Sequence, residues 1–261
     1  MLSPPYSAEV NDIELRVEDE VGWICFNRPE VANAVRPAMM RQFCKAIDDC
    51  SASEQVRAII VTGNGKHFSA GADFAFLEEL TASKAEETRD SLYEWFVGAT
   101  RRLWRCSKPT IAAVNGAAVT VGCEIALACD IRIVSDNAIF HESWLRLGLL
   151  PPLGGSVLLP RLVGLGRAQS MILQGNAVEA AEALSIGLAT KMVESSQLRA
   201  TATAEALALA SVPARSYQLA KDALRRPFDA DMEREWQTNV LAQSLLINTD
   251  EFRSRVRKLR N

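Results

Sequence analysis

From Ile111 to Cys129 the chain reads IAAVNGAAVTVGCEIALAC, the longest apolar run it contains. Its length approaches that of a membrane span. It carries Asn115 and Glu124, however, and is broken by Gly116, Thr120 and Gly122. Such a run reads as the buried core of a folded domain, and no membrane partner is expected. Thr110 to Val114 has the composition of an inner strand, 122–129 that of a short helix, and Ile131 to Val134 that of a second strand. Strand, loop, helix and strand in that order is the βαβ-like grammar of an α/β domain. The strange member is Glu124, set among Val, Cys, Ile, Ala and Leu on a helix that is apolar all round.

The flanking sequence extends the same pattern. Ile13, Leu15 and Val17 alternate, as do Val21, Trp23 and Cys25, and the turn text between them predicts a β-hairpin. Pro37 opens a helix that presents Met39, Met40, Phe43 and Ile47 on one face. A strand at Ala58 to Val61 follows. Leu92, Trp95, Phe96, Ala99, Leu103 and Trp104 make an amphipathic helix that ends before Pro109. Beyond the turn-rich LLPPLGGS, helices are expected at 167–173, 178–186, 196–211, 214–225, 231–247 and 250–260. A change of composition near residue 200 divides the chain into a mixed core, 1–200, and a helical region, 201–261.

Charge excludes a broad class of partners. With 29 Lys+Arg against 32 Asp+Glu the net charge is −3, so no global basic field recruits nucleic acid. Cations do gather at the C-terminus, where Arg253, Arg255, Arg257, Lys258 and Arg260 follow Glu251. They make either a solvated helix face or a site for ligand phosphates. The amino terminus lacks the cationic and apolar regions of a secretory leader. Six cysteines form no CxxC pair, which fits reduced thiols and a cytoplasmic location. Two histidines, His67 and His141, are too few for a His-rich metal site, and no metal is expected.

Neither GNGKHFS (63–69) nor VGLGRAQ (163–169) has the glycine spacing of a nucleotide loop. HFSAGADF (67–74) and NGAAVTVGCEIALACD (115–130) carry more chemistry. Burial at Glu124 raises its pKa and suits a general acid or base. A structural ion pair with Arg132 is the other reading. Backbone amides at the start of that helix, joined by one from the Ser69-Ala70-Gly71 turn, would form a hole for a developing oxyanion.

NRPEVANA (27–34), FSAGADF (68–74), KPTIAAVNGAAVTVGCEIALACDIRI (108–133), LGLLPPLGG (147–155) and the text from Leu162 to Val193 together resemble the crotonase, or enoyl-CoA hydratase/isomerase, superfamily. The likeness runs along essentially the whole chain. It implies an α/β spiral of ββα units with a C-terminal helical oligomerisation region, assembled as a homotrimer or homohexamer. It also implies a coenzyme A thioester as substrate, with no separate cofactor. The thioester carbonyl would lie between the amides of Ala70 and Val121, and Glu124 would move the proton. Contacts to the coenzyme A would come from Ala32, Ala70 and the segment Ala72, Asp73 and Phe74, with Lys258 of a neighbouring subunit near the phosphates.

Two departures from the family pattern bear on activity. Thr120-Val121-Gly122 replaces a Gly-Gly-Gly, so a β-branched residue carries the second amide and reshapes the acyl pocket. Trp144 stands where hydratases carry a second glutamate, and Glu142, two residues earlier, is its candidate substitute. His141 would face away from both, and the nucleophilic Asp of a dehalogenase branch that shares the Trp would fall at Pro152. Hydration or dehydration of an enoyl-CoA is the leading expectation. Single-base isomerisation or decarboxylation, a non-catalytic acyl-CoA-binding protein and a purely structural scaffold are the alternatives.

Overall fold

The hairpin forms as its alternation requires. In the computed structural model, which describes residues 11–259, β1 (Ile13–Glu18) and β2 (Val21–Phe26) pair antiparallel through a two-residue turn, Asp19 and Glu20, both at positive φ. Residues 1–10, where no secretory leader is expected, lie outside the described residues, as do Arg260 and Asn261. Pro37 heads α1 (Pro37–Ala52), whose expected apolar face is wholly buried. After β3 (Ala58–Gly63) come α2 (Phe74–Ala82) and α3 (Ala85–Ser91). The aromatic stripe then lies on a π-helical turn (Leu92–Val97) that runs into α4 (Gly98–Arg105). The apolar run divides into β4 (Thr110–Val114), β5 (Ala117–Val119) and α5 (Val121–Ala128), followed by β6 (Ile131–Ser135) and β7 (Ile139–His141). Among the described residues no helix is long and apolar enough to cross a membrane.

The remaining elements are α6 (Gly155–Val163), α7 (Leu165–Leu173), β8 (Val178–Glu179), α8 (Ala180–Ser185), β9 (Lys191–Val193), α9 (Leu198–Ala210), α10 (Ala214–Arg225), α11 (Asp229–Ile247) and α12 (Asp250–Leu259). The expected C-terminal helices all form. Helix α6 escapes the sequence because glycines open it and Pro160 sits inside it. Strands β5, β8 and β9 have two or three residues, too few for periodicity to mark.

Strands β1-β2-β3-β4-β6-β9 form one sheet, parallel except for β1 against β2, and β5-β7-β8 form a smaller one. β2 and β4 are buried on both faces, as inner parallel strands must be when helices cover each side. One face packs on α1, α4 and α5. On the other, Leu198, Ala202, Ala206 and Ala210 of α9 lie against Trp23, Ile60, Ile111 and Ile133. This corrects the division at residue 200, which falls within a helix that belongs to the sheet core. The later helices are not packed apart either, since Met232, Trp236, Val240 and Ile247 of α11 and Phe252 and Val256 of α12 belong to the main core. Helices α11 and α12 fold back over α3 and α2 of the same chain.

Asp130, between α5 and β6, ties α10 to the sheet. Its carboxylate accepts from the Thr110 amide at 2.8 Å, Lys221 Nζ at 2.5 Å and Arg225 Nη2 at 2.7 Å, and from the Tyr217 hydroxyl at 3.3 Å. Lys221 and Arg225 are both buried. Removing the shared carboxylate strands two cations, a change that costs about 3–5 kcal/mol where a buried pair is broken. Asp130→Ala is therefore expected to lower the unfolding free energy by that order in denaturant titration, with α10 the first segment to lose amide protection in hydrogen exchange.

Candidate active site

Asn33 organises the first wall of the site. It adopts φ +56°, accepts from the Arg28 amide at 2.8 Å and donates to the carbonyls of Asn64 at 2.9 Å and His67 at 2.8 Å. Ser69 Oγ in turn donates to the Asn33 carbonyl at 2.8 Å. These bonds press the turn at 69–73 against the start of α5. Gly71, at φ +92°, has Thr120 Oγ1 2.2 Å from where a Cβ would stand, and a Cβ on Gly122 would lie 2.8 Å from Ser69 Cβ. Neither glycine can be replaced without moving backbone. Just before Val121, Thr120 adopts a φ of +46°, a rare state for a β-branched residue.

The expected oxyanion pair needs one correction. The Ala70 amide is occupied, donating to the Ala32 carbonyl at 2.9 Å. Two residues on, Val35 pairs with Ala72 as an isolated bridge in which the Gly71 carbonyl and the Asp73 amide take part, and the Ala72 amide keeps no partner among the described residues. The Val121 amide, first of α5, is likewise without one. Ala72 and Val121 line one apolar cavity, together with Phe76, Leu80, Phe96, Trp144, Leu149, Leu153 and Ile247. The π-helical turn brings Leu92 and Phe96 to its wall, and α11 closes it with Gln243 and Ile247. Its volume is about 20 Å³, little more than one water requires.

Glu124 is wholly buried. Its Oε2 accepts from the amides of Leu153 at 2.9 Å and Gly155 at 2.6 Å, and Oε1 has no hydrogen-bond partner. The ion pair with Arg132 does not form, because that guanidinium donates to the carbonyls of Leu188 and Cys129. Burial raises the Glu124 pKa well above the carboxylate range, helped by Glu142 and Glu235, while the two amides act against it.

Glu142 is also wholly buried and keeps both oxygens unpartnered. Trp144 lines the cavity and is 3% exposed; its indole N–H and the Cys123 thiol lie beside the Glu142 carboxyl. Burial pushes Glu142 up to about 8. His141 points elsewhere, its Nε2 3.0 Å from the Gly175 carbonyl, as strand alternation requires. A third buried carboxyl, Glu235 of α11, gives no signal in the sequence. It accepts from Ser156 and Val157 at the start of α6, and burial pushes it up to about 7.

The segments expected to hold a coenzyme A tail are partly brought together. Ala32 and Ala70 are joined by a hydrogen bond, and Ala72 to Phe74 continue into α2. Asp73 has structural duties, capping Ala75 N at 2.9 Å and pairing with Arg28 at 2.7 Å. Lys258 lies with Arg146 and Arg255 in an open basic groove, and no hydrogen bond or ion pair joins it to the Ala32 turn. Among the described residues no group of His, Cys, Asp and Glu has the makings of a metal site, and all six cysteines are free and buried.

The α/β fold thus sets a small apolar cavity, lined by Ala72 and Val121, beside the buried carboxyl of Glu124. A family model described as Enoyl-CoA hydratase/isomerase matches residues 16–258, and the chain belongs to that family. It is 38% identical over 226 residues to a short-chain-enoyl-CoA hydratase of Clostridium acetobutylicum, covering 86% of this chain and 85% of that protein. A crotonyl-CoA hydratase of Syntrophomonas wolfei is 33% identical over 241 residues, with 92% and 91% covered. The crystal structure of an enoyl-CoA hydratase/isomerase from Mycobacterium paratuberculosis superposes with a TM-score of 0.89 at 28% identity, over 97% of this chain and 100% of that one.

Three buried carboxyls with raised pKa values link stability to pH. The folded state binds their protons more tightly than the unfolded chain, so stability is complete below the ordinary value of 4.5 and is lost as pH rises through about 7 and 8. Unfolding free energy, followed by denaturant titration between about pH 5 and 9, is expected to fall with pH. Glu142→Gln is expected to flatten part of that slope.

Proposed function

We propose that the protein hydrates a short enoyl-CoA thioester, with Glu124 as its acid/base and the amides of Ala72 and Val121 as its oxyanion hole. The observation that carries this reading is that Ala72 and Val121, whose amides have no backbone partner among the described residues, both line the apolar cavity that Glu124 adjoins through Leu153. The thioester carbonyl oxygen accepts from both amides, and charge that develops on it as the enolate forms meets donors already in place. Each such donor is worth about 10²–10³ in rate. Glu124 takes a proton from water, hydroxide carbon–oxygen bonding forms at Cβ, and the same carboxyl returns its proton to Cα. One water is consumed and no other reactant is needed.

Trp144, Leu149 and Val121 make the acyl end apolar and narrow, which favours a short chain and requires the α2 and π-helical walls to part for entry. Ala32 and the turn at 72–74 hold the coenzyme A portion, and the Lys258 groove meets its phosphates from a neighbouring subunit of a homotrimer or homohexamer. Single-base isomerisation shares every one of these parts, so the test must separate the two.

With crotonyl-CoA, wild-type protein is expected to remove the conjugated enoyl absorbance with formation of 3-hydroxybutyryl-CoA. Glu124→Gln, which keeps the shape and abolishes the base, is expected to lower kcat by at least ~10². Absence of hydrated product from wild type, with isomerisation of a 3-enoyl-CoA instead, would replace hydration by the single-base reaction.

A further inference from the structure

Helix α11 contributes to the cavity wall, and side chains along it are also bonded to the loop that holds Glu124. Trp236 Nε1 donates to the Leu153 carbonyl at 3.1 Å and Asn239 Nδ2 to the Pro151 carbonyl at 2.9 Å, while Gln243 Oε1 accepts from the Leu150 amide at 3.3 Å. Glu235 accepts from Ser156 and Val157 where the loop enters α6. Asn239 lies four residues from Glu235, three from Trp236 and four from Gln243, the spacing of one helical face. Gly154, at φ +123°, lets the loop approach that face. A Cβ there would stand 2.9 Å from Met232 Cε and 3.7 Å from Trp236 Nε1.

A buried loop must find partners for its backbone polar groups. Residues 151–155 are all buried, and Pro151 and Pro152 have no N–H to donate. Side chains of α11 take up the Pro151 and Leu153 carbonyls, and the Leu153 and Gly155 amides go to Glu124 Oε2 at 2.9 and 2.6 Å. Leu153 is therefore fixed twice, its carbonyl to Trp236 and its amide to Glu124. Among the described residues these two amides make the only hydrogen bonds to the Glu124 carboxyl, and Oε1 is left without a partner.

We propose that Trp236 and Asn239 are positioning residues: the α11 face holds the loop, the loop amides hold Glu124 Oε2, and Oε1 is thereby kept as the oxygen that exchanges the proton. This rests on the hydration reading for what the proton does, but not for the chain of hydrogen bonds. It gives α11 a part in turnover beyond its part in the cavity wall. Glu142, which follows β7, and Glu235 of α11 face Glu124 and push its pKa up, and Cys123 lies beside it on α5. The Leu153 and Gly155 amides act downward. Slackening the loop weakens that downward pair, so less of the base is ionised at a given pH.

Trp236→Phe and Asn239→Leu each remove one donor to the loop without changing charge. Asn239 is only half-buried, so its variant keeps the test open where Trp236→Phe fails to fold. On crotonyl-CoA both are expected to lower kcat by ~10- to 10²-fold with KM little changed, and to move the acid limb of the kcat profile to higher pH. Asn239→Gln, which keeps a donor, is expected to recover most of kcat. Without substrate, hydrogen exchange read by mass spectrometry is expected to show faster exchange of the 153–157 amides in both variants, with α1 as protected as in wild type. A lower melting temperature with wild-type kcat and pH profile, or loop amides as protected as in wild type, overturns the proposal. Failure of wild type to hydrate crotonyl-CoA overturns the hydration reading instead. The variants are then compared by α-proton exchange of butyryl-CoA, where rates equal to wild type overturn the positioning role.

Discussion

Everything in the site follows from putting one carboxyl, Glu124, into a helix that has no polar face. An isolated carboxylate in such a place is too costly to keep, so its environment must either supply donors or hold a proton on it. The fold supplies two donors, the amides of Leu153 and Gly155, from a loop that the sequence shows only as a turn rich in proline and glycine. Those amides fix the loop before α6 against α5. The loop in turn brings Leu153 to the cavity and the start of α6 to Glu235.

The second constraint is steric. The turn at 69–73 and the start of α5 approach so closely that Gly71 and Gly122 have no room for side chains, and this contact brings Ala72 and Val121 to the wall of one cavity. A glycine at residue 120 would satisfy its positive φ without cost, yet the chain holds a threonine there. Rigidity at this junction is therefore maintained by tertiary bonds around Asn33, Ser69 and the His141 carbonyl. Part of the wall opposite comes from α11, through Gln243 and Ile247, a helix that was expected to serve assembly.

Much of this was legible in residue patterns. The hairpin, α1, the aromatic helix and α10 follow from periodicity and from Pro37 and Pro109, because local spacing determines which side they bury. Glu124 stood out because charge in an apolar helix is rare. Long-range pairing was not legible: β5 and β8 are strands only by virtue of their partners, and α6 is hidden by Pro160. The same limit explains Ala70. Which amide of a short turn stays free depends on the bond that Ala70 makes to Ala32, far away in sequence, and on the bridge between Val35 and Ala72. Glu235 belongs to a helix whose pattern gives a carboxyl no distinction.

The central claim is that the Ala72 and Val121 amides stabilise a thioester enolate beside Glu124. Exchange of the α-protons of butyryl-CoA in deuterated water measures that step without any hydration, read by mass spectrometry of the recovered thioester. Wild-type protein is expected to introduce deuterium at Cα, and Glu124→Gln to leave exchange at the uncatalysed rate. No incorporation by wild type, or equal incorporation by Glu124→Gln, would contradict the account.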